Sequence, residues 1–387
     1  MPFMSLSSTC IETEAALSEL EASFAKTWQG GVDLAVVFFS AHHLPAASLL
    51  ASRLQALTSA RALIGCPGET IIEGGREFED GPALSLWAAK WRHDIQLTPY
   101  HLTFEQTADG ASLLGWPDDL GDAAAERSLL IALGDPFTFP TDDFLQQSNE
   151  EKPGLAVVGG MASAAQQPGV NRLLLGSEAV DQGAVGVLLQ GDFAFRTIVS
   201  QGCRPIGKPM VVTKAQQNLL LELGGKPAMG QLQELWQQLE PRDRELVQGG
   251  LHVGRVTNEY QGAFERGDFL IRNVMGIDEK TGGIAITDRV RVGQTVQFHV
   301  RDAATADEDL RLLLSAHAAP RPGAGLLFSC NGRGTRLFDA ADHDAHAVRA
   351  ALGDIPLAGF FAMGELGPIG KRNFVHGFTA SMVFFED

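Results

Sequence analysis

One order of apolar segments occurs three times in this chain: a strand, a helix, a second strand ending in a glycine turn, and a third strand. The predicted first strands are residues 34–39, 129–133 and 326–328, the second strands are 62–64, 155–158 and 357–361, and the third strands are 83–89, 185–189 and 381–385. First and second strands lie about 25–31 residues apart, which suits a strand–helix–strand crossover. The repeats predict an α/β (α+β) fold with mixed sheets built from β-α-β-β units.

The rest of the chain predicts a leader segment and two domains. Residues 1–30 carry Leu17, Leu20 and Phe24 at helical spacing and are predicted to form an N-terminal leader helix. Polar and apolar residues alternate in 295–300, as in a half-buried antiparallel strand. We place the domain boundary near Lys226-Pro227, which gives domains at 31–226 and 227–387.

Charge and cysteine content exclude several classes of function. The net charge is −17, so nucleic acid and anionic lipid are not expected as partners, because both require basic surfaces. No apolar run reaches the roughly 20 residues of a membrane helix, so membrane insertion is not expected. Four dispersed cysteines without a CxxC pair predict no zinc site and a reducing, cytoplasmic location. No cofactor is predicted.

Two motifs suggest phosphate or metal binding but favour simpler structures. Residues 202–209 match seven positions of a phosphate-binding loop, yet Pro209 replaces the magnesium-binding hydroxyl and residues 210–212 continue as a strand. A turn between strands is therefore favoured. His343 and His346 could face one side of a helix as metal ligands. A solvated helix start is favoured there, because Asp342 and Asp344 are typical of one.

Cysteines and glutamates at predicted strand ends are the stronger candidates for a site. Cys66 and Cys330 each lie where an apolar strand meets a glycine turn, where a thiol is either catalytic or simply buried. Glu69 and Glu365 each follow a glycine in what we predict to be matching turns of the first and third repeats. Such carboxylates either face a shared pocket or lie exposed on a turn.

Five segments carry a resemblance to a known family. They are residues 64–69 (IGCPGE), 200–207 (SQGCRPIG), 328–334 (FSCNGRG), 359–370 (GFFAMGELGPIG) and 373–381 (NFVHGFTAS). Together they resemble the FIST family, named for F-box and intracellular signal transduction proteins, over about residues 30–387. The resemblance implies a FIST N-terminal and a FIST C-terminal domain in a free-standing form, acting as a sensory module for small ligands such as amino acids. A signalling protein is then the expected partner.

The site is predicted in a cleft between the N-terminal region and the C-terminal domain. The ligand-binding candidates lie in glycine-containing turns or in the family-like segments, and they are Arg204, Asn331, Arg333, Glu365, Asn373 and His376, with Cys66, Glu69 and Cys330. For an amino-acid ligand, Arg333 or Arg204 is predicted to bind the carboxylate and Glu365 the ammonium group.

Two other functions stay open from the sequence. One is a cysteine-dependent, amidohydrolase-like enzyme with Cys330 or Cys66 as nucleophile and His376 or Glu365 as base. The other is a non-catalytic scaffold that acts through protein contacts.

Overall fold

A computed structural model describes residues 2–107, 110–122 and 124–386. By its internal contacts the chain divides into two compact units. Unit 1 takes residues up to 199, 310–375 and those from 379 onward, and unit 2 takes residues 200–309 and 376–378. The predicted domain boundary at 226–227 falls inside unit 2, and as a boundary between sequence domains it stays a prediction.

The described residues form 26 strands and seven α-helices. In chain order the strands are β1 (Phe3–Ser8), β2 (Leu34–Ser40), β3 (Ala62–Gly68), β4 (Ile71–Glu73), β5 (Arg76–Phe78), β6 (Leu84–Ala89), β7 (Ile95–Thr107), β8 (Gly110–Leu114), β9 (Ser128–Gly134), β10 (Ala156–Met161), β11 (Leu173–Leu175), β12 (Glu178–Val180), β13 (Ala184–Gly191), β14 (Phe195–Gln201), β15 (Cys203–Gln216), β16 (Leu219–Leu223), β17 (Lys226–Pro227), β18 (Leu251–Val256), β19 (Phe269–Asp278), β20 (Gly283–Ile286), β21 (Thr295–Arg301), β22 (Ala324–Cys330), β23 (Leu357–Ala362), β24 (Glu365–Ile369), β25 (Arg372–His376) and β26 (Thr379–Phe385). The helices are α1 (Thr13–Thr27), α2 (Ala47–Thr58), α3 (Thr141–Glu151), α4 (Ala228–Gln238), α5 (Pro241–Gly249), α6 (Ala303–Ala316) and α7 (His343–Leu352).

The three predicted β-α-β-β repeats are confirmed, and all of them lie in unit 1. In each repeat the first strand pairs in parallel with the second, as β2 with β3, β9 with β10 and β22 with β23. Each first strand also pairs antiparallel with the third, as β2 with β6, β9 with β13 and β22 with β26. Each repeat therefore forms the centre of its own mixed sheet.

A β-hairpin from one repeat completes the sheet of another. The hairpin β4–β5 of the first repeat adds to β23 of the third, and β24–β25 of the third adds to β10 of the second. The hairpin β11–β12 of the second repeat adds to β3 of the first, which closes the cycle. In all three repeats, the second strand therefore pairs with a hairpin from another repeat.

The inner faces of these sheets share one apolar core. Phe38 of the first repeat lies 5.2 Å from Phe360 and 6.2 Å from Phe328 of the third, measured between ring centroids. The second repeat contributes Ile131 and Val158 to the same core. Because these strands are also covered on their outer faces by α-helices, they are apolar on both sides.

The N-terminal segment contains the predicted helix and also a strand. Helix α1 buries Leu17, Leu20 and Phe24, in agreement with their spacing. Residues 3–8 form β1, which pairs antiparallel with β6 rather than extending the helix. Strand β1 is half-buried and rich in serine, so its apolar pattern in the sequence is weak.

Unit 2 holds one sheet of the order β15-β21-β18-β19-β20-β16-β17, in which β15 also pairs with β16. Its interior is apolar and includes Val253, Ile284 and Phe298, with α4 and α5 packed against it. Residues 203–209 of the segment that resembles a phosphate-binding loop lie within β15, so they form part of a strand and not the turn between strands that the simpler interpretation predicted.

A glycine occupies the same register position in the second strand of each repeat. Gly65 pairs with Val37, Gly159 with Ala132 and Gly359 with Leu327. A Cβ atom at Gly359 would lie 1.8 Å from the carbonyl oxygen of Leu327, and one at Gly159 would lie 1.8 Å from that of Ala132. The parallel strands approach closely there, and any side chain would force them apart.

We expect Gly359→Ala to lower the free energy of unfolding by about 2–4 kcal/mol, because a buried backbone contact must open. Gly31→Ala is the control, since a Cβ atom there meets nothing within 4 Å. Thermal and urea unfolding of the two variants measure the difference. Equal stability of the two would contradict the close packing inferred for the repeats.

Candidate functional site

The ends of the three second strands meet in unit 1. Ser163, after β10, accepts a hydrogen bond from the Glu69 backbone N–H at 2.8 Å, and its hydroxyl donates to the carbonyl of Phe361 in β23. The backbone N–H of Met161 donates to the Gly364 carbonyl at 3.0 Å, and that of Met363 donates to the Met161 carbonyl at 3.0 Å. We call this meeting point of residues 67–69, 161–163 and 362–365 the junction.

The loop after β22 joins the junction and carries two arginines. Its Asn331 N–H donates to the Ala362 carbonyl at 3.0 Å. Arg333 is fully buried, and its Nε and Nη2 donate to the two carboxylate oxygens of Asp344 in α7, at 2.7 and 2.8 Å. Ser329 donates to the same carboxylate at 2.6 Å. The two-pronged bond that the sequence predicted for a ligand is thus made to Asp344.

The buried pair Arg333–Asp344 consists of a cation and an ionised carboxylate. Burial by itself would raise the pKa of Asp344, but the charge and hydrogen bonds of Arg333 outweigh burial and hold the pKa below its usual range. Asp344 is therefore ionised at neutral pH. Its burial corrects the prediction of a solvated helix start at residues 342–346.

Two further carboxyl groups interact electrostatically with Arg333 and have raised pKa values. Burial raises the pKa of Glu77 to about 8, with a contribution from the charge of Asp344, and Glu77 accepts the Ala345 N–H at 2.9 Å. Burial likewise raises the pKa of Glu365 to about 8, although Thr379 donates to it through N–H and hydroxyl. Both groups are mostly protonated at pH 7, so Arg333 and Asp344 balance each other.

An exposed ion pair lies at the rim of the junction. Arg336 donates from Nη1 and Nη2 to the two carboxylate oxygens of Glu69, and from Nη1 to the Asn331 carbonyl at 2.7 Å. Arg336 is 56% exposed and Glu69 is 32% exposed, so solvent and solutes reach both charges. Glu79 accepts the N–H and the hydroxyl of Thr335 in the same loop, at 3.0 and 2.6 Å.

Cys66 and Cys330 differ in their surroundings. Cys66 is fully buried in the shared core, and burial raises the pKa of its thiol well above the ordinary value. Cys330 lies at the end of β22 and interacts electrostatically with Arg333 and Arg336. None of the four described cysteines forms a disulfide. A protonated, buried Cys66 and a mostly protonated Glu365 are unsuited to act as nucleophile and base at neutral pH.

The structure brings Glu69, Cys330, Asn331, Arg333 and Glu365 into one network at or beside the junction. Glu69 and Glu365 are not in matching positions, however. Counted from Gly65 and Gly359 of the shared register, Glu69 corresponds to Met363, two residues before Glu365.

The remaining predicted site residues have structural partners elsewhere. Asn373 is buried beside the start of β10, where it accepts the Val157 N–H and donates to the Leu155 carbonyl, each at 2.8 Å. Arg204 belongs to unit 2 and forms ion pairs with Asp243 and Asp302 there. His376 is assigned to unit 2 and is buried.

Sequence reasoning missed Glu77, Glu79, Arg336 and Asp344. Only Asp344 lay in a segment that the sequence singled out, and no pattern there distinguishes it from Asp342. Among the described residues, no three His, Cys, Asp or Glu side chains come together as a metal site would require. Within the same part of the chain, no helix has the length and apolar character needed to cross a membrane.

Family matches cover most of the chain, and proteins of similar sequence are known from mycobacteria. The family described as FIST N domain matches residues 33–226, and the family described as FIST C domain matches residues 229–368. An uncharacterized protein of Mycobacterium tuberculosis is 42% identical over 384 residues, covering 98% of each chain. An uncharacterized protein of Mycobacterium bovis is 44% identical over 357 residues, covering 92% of this chain and 90% of its own.

We expect Asp344→Asn to lower the free energy of unfolding by about 3–5 kcal/mol, because it leaves the buried Arg333 without a counter-charge. The matched control is Asp192→Asn, which breaks an exposed pair with Arg127 and should have no measurable effect. The double variant Arg333→Met/Asp344→Leu should recover part of the loss in urea unfolding. A single variant as stable as the control would show that the pair is not desolvated.

We expect Glu365→Gln to stabilise the protein by about 1–3 kcal/mol at pH 8 and by much less at pH 5. The pKa of Glu365 is about 8 in the folded protein, against an ordinary 4.5, so the folded state holds a proton that the unfolded chain releases between these values. The free energy of unfolding therefore falls as pH rises from 4.5 to 8, and glutamine removes that fall. Melting curves at several pH values measure it. Glu178→Gln, on an exposed side chain, should instead parallel the parent.

Proposed function

The chain belongs to the FIST family, and from that premise we propose that it is a small-ligand-binding sensory protein whose ligand is an amino acid or a related metabolite. FIST domains are described as sensory domains of signal transduction. The observation that carries the proposal is the exposed pair Arg336–Glu69 at the junction of the three repeats. It offers one cation and one anion, already at hydrogen-bonding distance, to a solute with both charges.

An amino acid is complementary to this pair. Its carboxylate matches the planar fork of Arg336, and its ammonium group is a donor for Glu69. The ligand would insert between the two side chains and replace one exposed ion pair by two charged contacts. Exposed ion pairs contribute little stability, so opening this pair costs little.

In this proposal the buried pair Arg333–Asp344 fixes the position of the loop that carries Arg336. Arg333 is held by Asp344 and cannot turn outward without leaving a buried carboxylate unpaired. Glu365 and Cys330 both interact electrostatically with Arg333. Because the junction is built from turns of three repeats, a ligand held there contacts residues from distant parts of the chain.

We place the protein in the cytoplasm, with a signalling protein as its partner. Four cysteines without a disulfide suit a reducing compartment, and the net charge of −17 supports neither nucleic acid nor an anionic membrane as partner.

Calorimetry with the twenty standard amino acids tests the proposal. We expect at least one to bind, and both Arg336→Gln and Glu69→Gln to weaken its binding at least tenfold, because each removes one charged contact. Arg127→Gln is the matched control, since Arg127 forms an exposed ion pair with Asp192 outside the junction. Absence of binding to every amino acid, or unchanged affinity in both junction variants, would refute it.

A further inference from the structure

A cavity lies in unit 1 and shares no residue with the junction or its loop. It has a volume of about 430 Å³, within the size range of small-molecule pockets. Its walls are formed by β1, the end of α1, the turn between β4 and β5, and the segment from the last turns of α7 to the start of β23. Most of the wall is apolar, with Phe3, Met4, Leu6, Trp28 and Ile355 among its residues.

The charged groups of this wall do not balance. Arg349 and Asp354 form an ion pair at 2.6 Å, so together they contribute no net charge. Glu73 is the third charged residue of the wall, and no Lys or Arg within the described ranges pairs with it. Glu73 thus leaves one formal negative charge in the wall without an ionic partner among the lining residues.

Two serines of β1 hold the Glu73 carboxylate in place. Ser5 donates to one of its oxygens at 2.8 Å and Ser7 to the other at 3.0 Å. Both serines lie on the strand that forms one wall, so the carboxylate is fixed beside the apolar surface. Each carboxylate oxygen can accept more than one hydrogen bond, which leaves capacity for a ligand donor.

We propose that this cavity binds a small amphipathic monocation, an ammonium group carried on an aromatic or branched aliphatic body. The apolar wall takes the body, because burial of apolar surface is favourable in proportion to its area. Glu73 takes the ammonium group, and the indole of Trp28 adds an aromatic surface of the kind that attracts cations. The site does not depend on amino-acid binding at the junction, and either proposal can fail without the other.

Three probes of similar shape and different charge test the ligand class by calorimetry on the full chain. They are tryptamine, which is a cation at neutral pH, the neutral 3-methylindole, and the anion indole-3-acetate. We expect tryptamine to bind at least tenfold more tightly than either of the others. Absence of tryptamine binding, or equal binding of all three probes, would overturn the proposal.

Variants then locate the binding. Glu73→Gln should weaken tryptamine at least tenfold, and Leu6→Trp should abolish binding by filling the cavity. Arg349→Gln should tighten tryptamine, because Asp354 then adds a second uncompensated negative charge. Glu178→Gln is the control for net charge and should change nothing, since this side chain is exposed and outside the cavity.

These variants still test the proposal if one of them is unstable. Melting curves identify a variant that does not fold, and in that event the opposite effects expected of Arg349→Gln and Leu6→Trp carry the test. Unchanged tryptamine affinity in the folded variants would place the amine elsewhere and refute the site. Loss of tryptamine binding in Glu73→Gln or Leu6→Trp, with amino-acid binding intact, would show that the amine binds in this cavity and not at the junction.

Discussion

The cyclic exchange of hairpins is the constraint on which unit 1 depends. No repeat completes its own sheet, because β4–β5, β11–β12 and β24–β25 each pair with the second strand of another repeat. Each second strand is therefore held between a first strand of its own repeat and a borrowed hairpin. In the first and third repeats the hairpin begins directly after the second strand, because β3 ends at Gly68 and β4 begins at Ile71, and β23 ends at Ala362 and β24 begins at Glu365. In the second repeat a longer segment separates Met161, the end of β10, from Leu173, the start of β11, and the turn after β10 is joined to the other two by hydrogen bonds of Met161 and Ser163. The junction follows from the way the sheets are completed.

The balance of charge under the junction is set by one arginine. Arg333 is surrounded by Asp344, Glu77, Glu365 and the thiol of Cys330, and a single buried cation cannot neutralise all of them. Asp344 forms two hydrogen bonds with Arg333 and is ionised, while Glu77 and Glu365 stay mostly protonated. This division leaves the exposed pair Arg336–Glu69 as the reachable charges of the network. It also accounts for the bonds that Arg333 and Glu365 make within the protein, to Asp344 and to Thr379.

The order of long strands and helices was predictable from sequence, and the way the repeats connect was not. The first strands of the repeats are apolar on both faces, so their runs of Val, Leu, Ile and Phe are unmistakable. The exchanged strands β4, β5, β11 and β12 have three residues each, too few to show a period. The mismatch of Glu69 and Glu365 arose because the turn glycines Gly68 and Gly364 were aligned, whereas Gly65 and Gly359 set the register. Burial of Asp344 depends on Arg333, and sequence spacing gives no sign of that pairing.

Helix α7 connects the two sites in physical terms. Its first turn carries Asp344, which holds Arg333 under the junction loop, and its last turns carry Val348 and Arg349 in the wall of the cavity. The hairpin β4–β5 also reaches both places. Its turn at Glu73 faces the cavity, and its Glu77 accepts the Ala345 N–H near the start of the helix. A displacement of α7 along its axis would thus strain the Arg333–Asp344 pair at one end and reshape the cavity at the other. Because packed interiors have low compressibility, strain at one end of so short a helix is transmitted to the other.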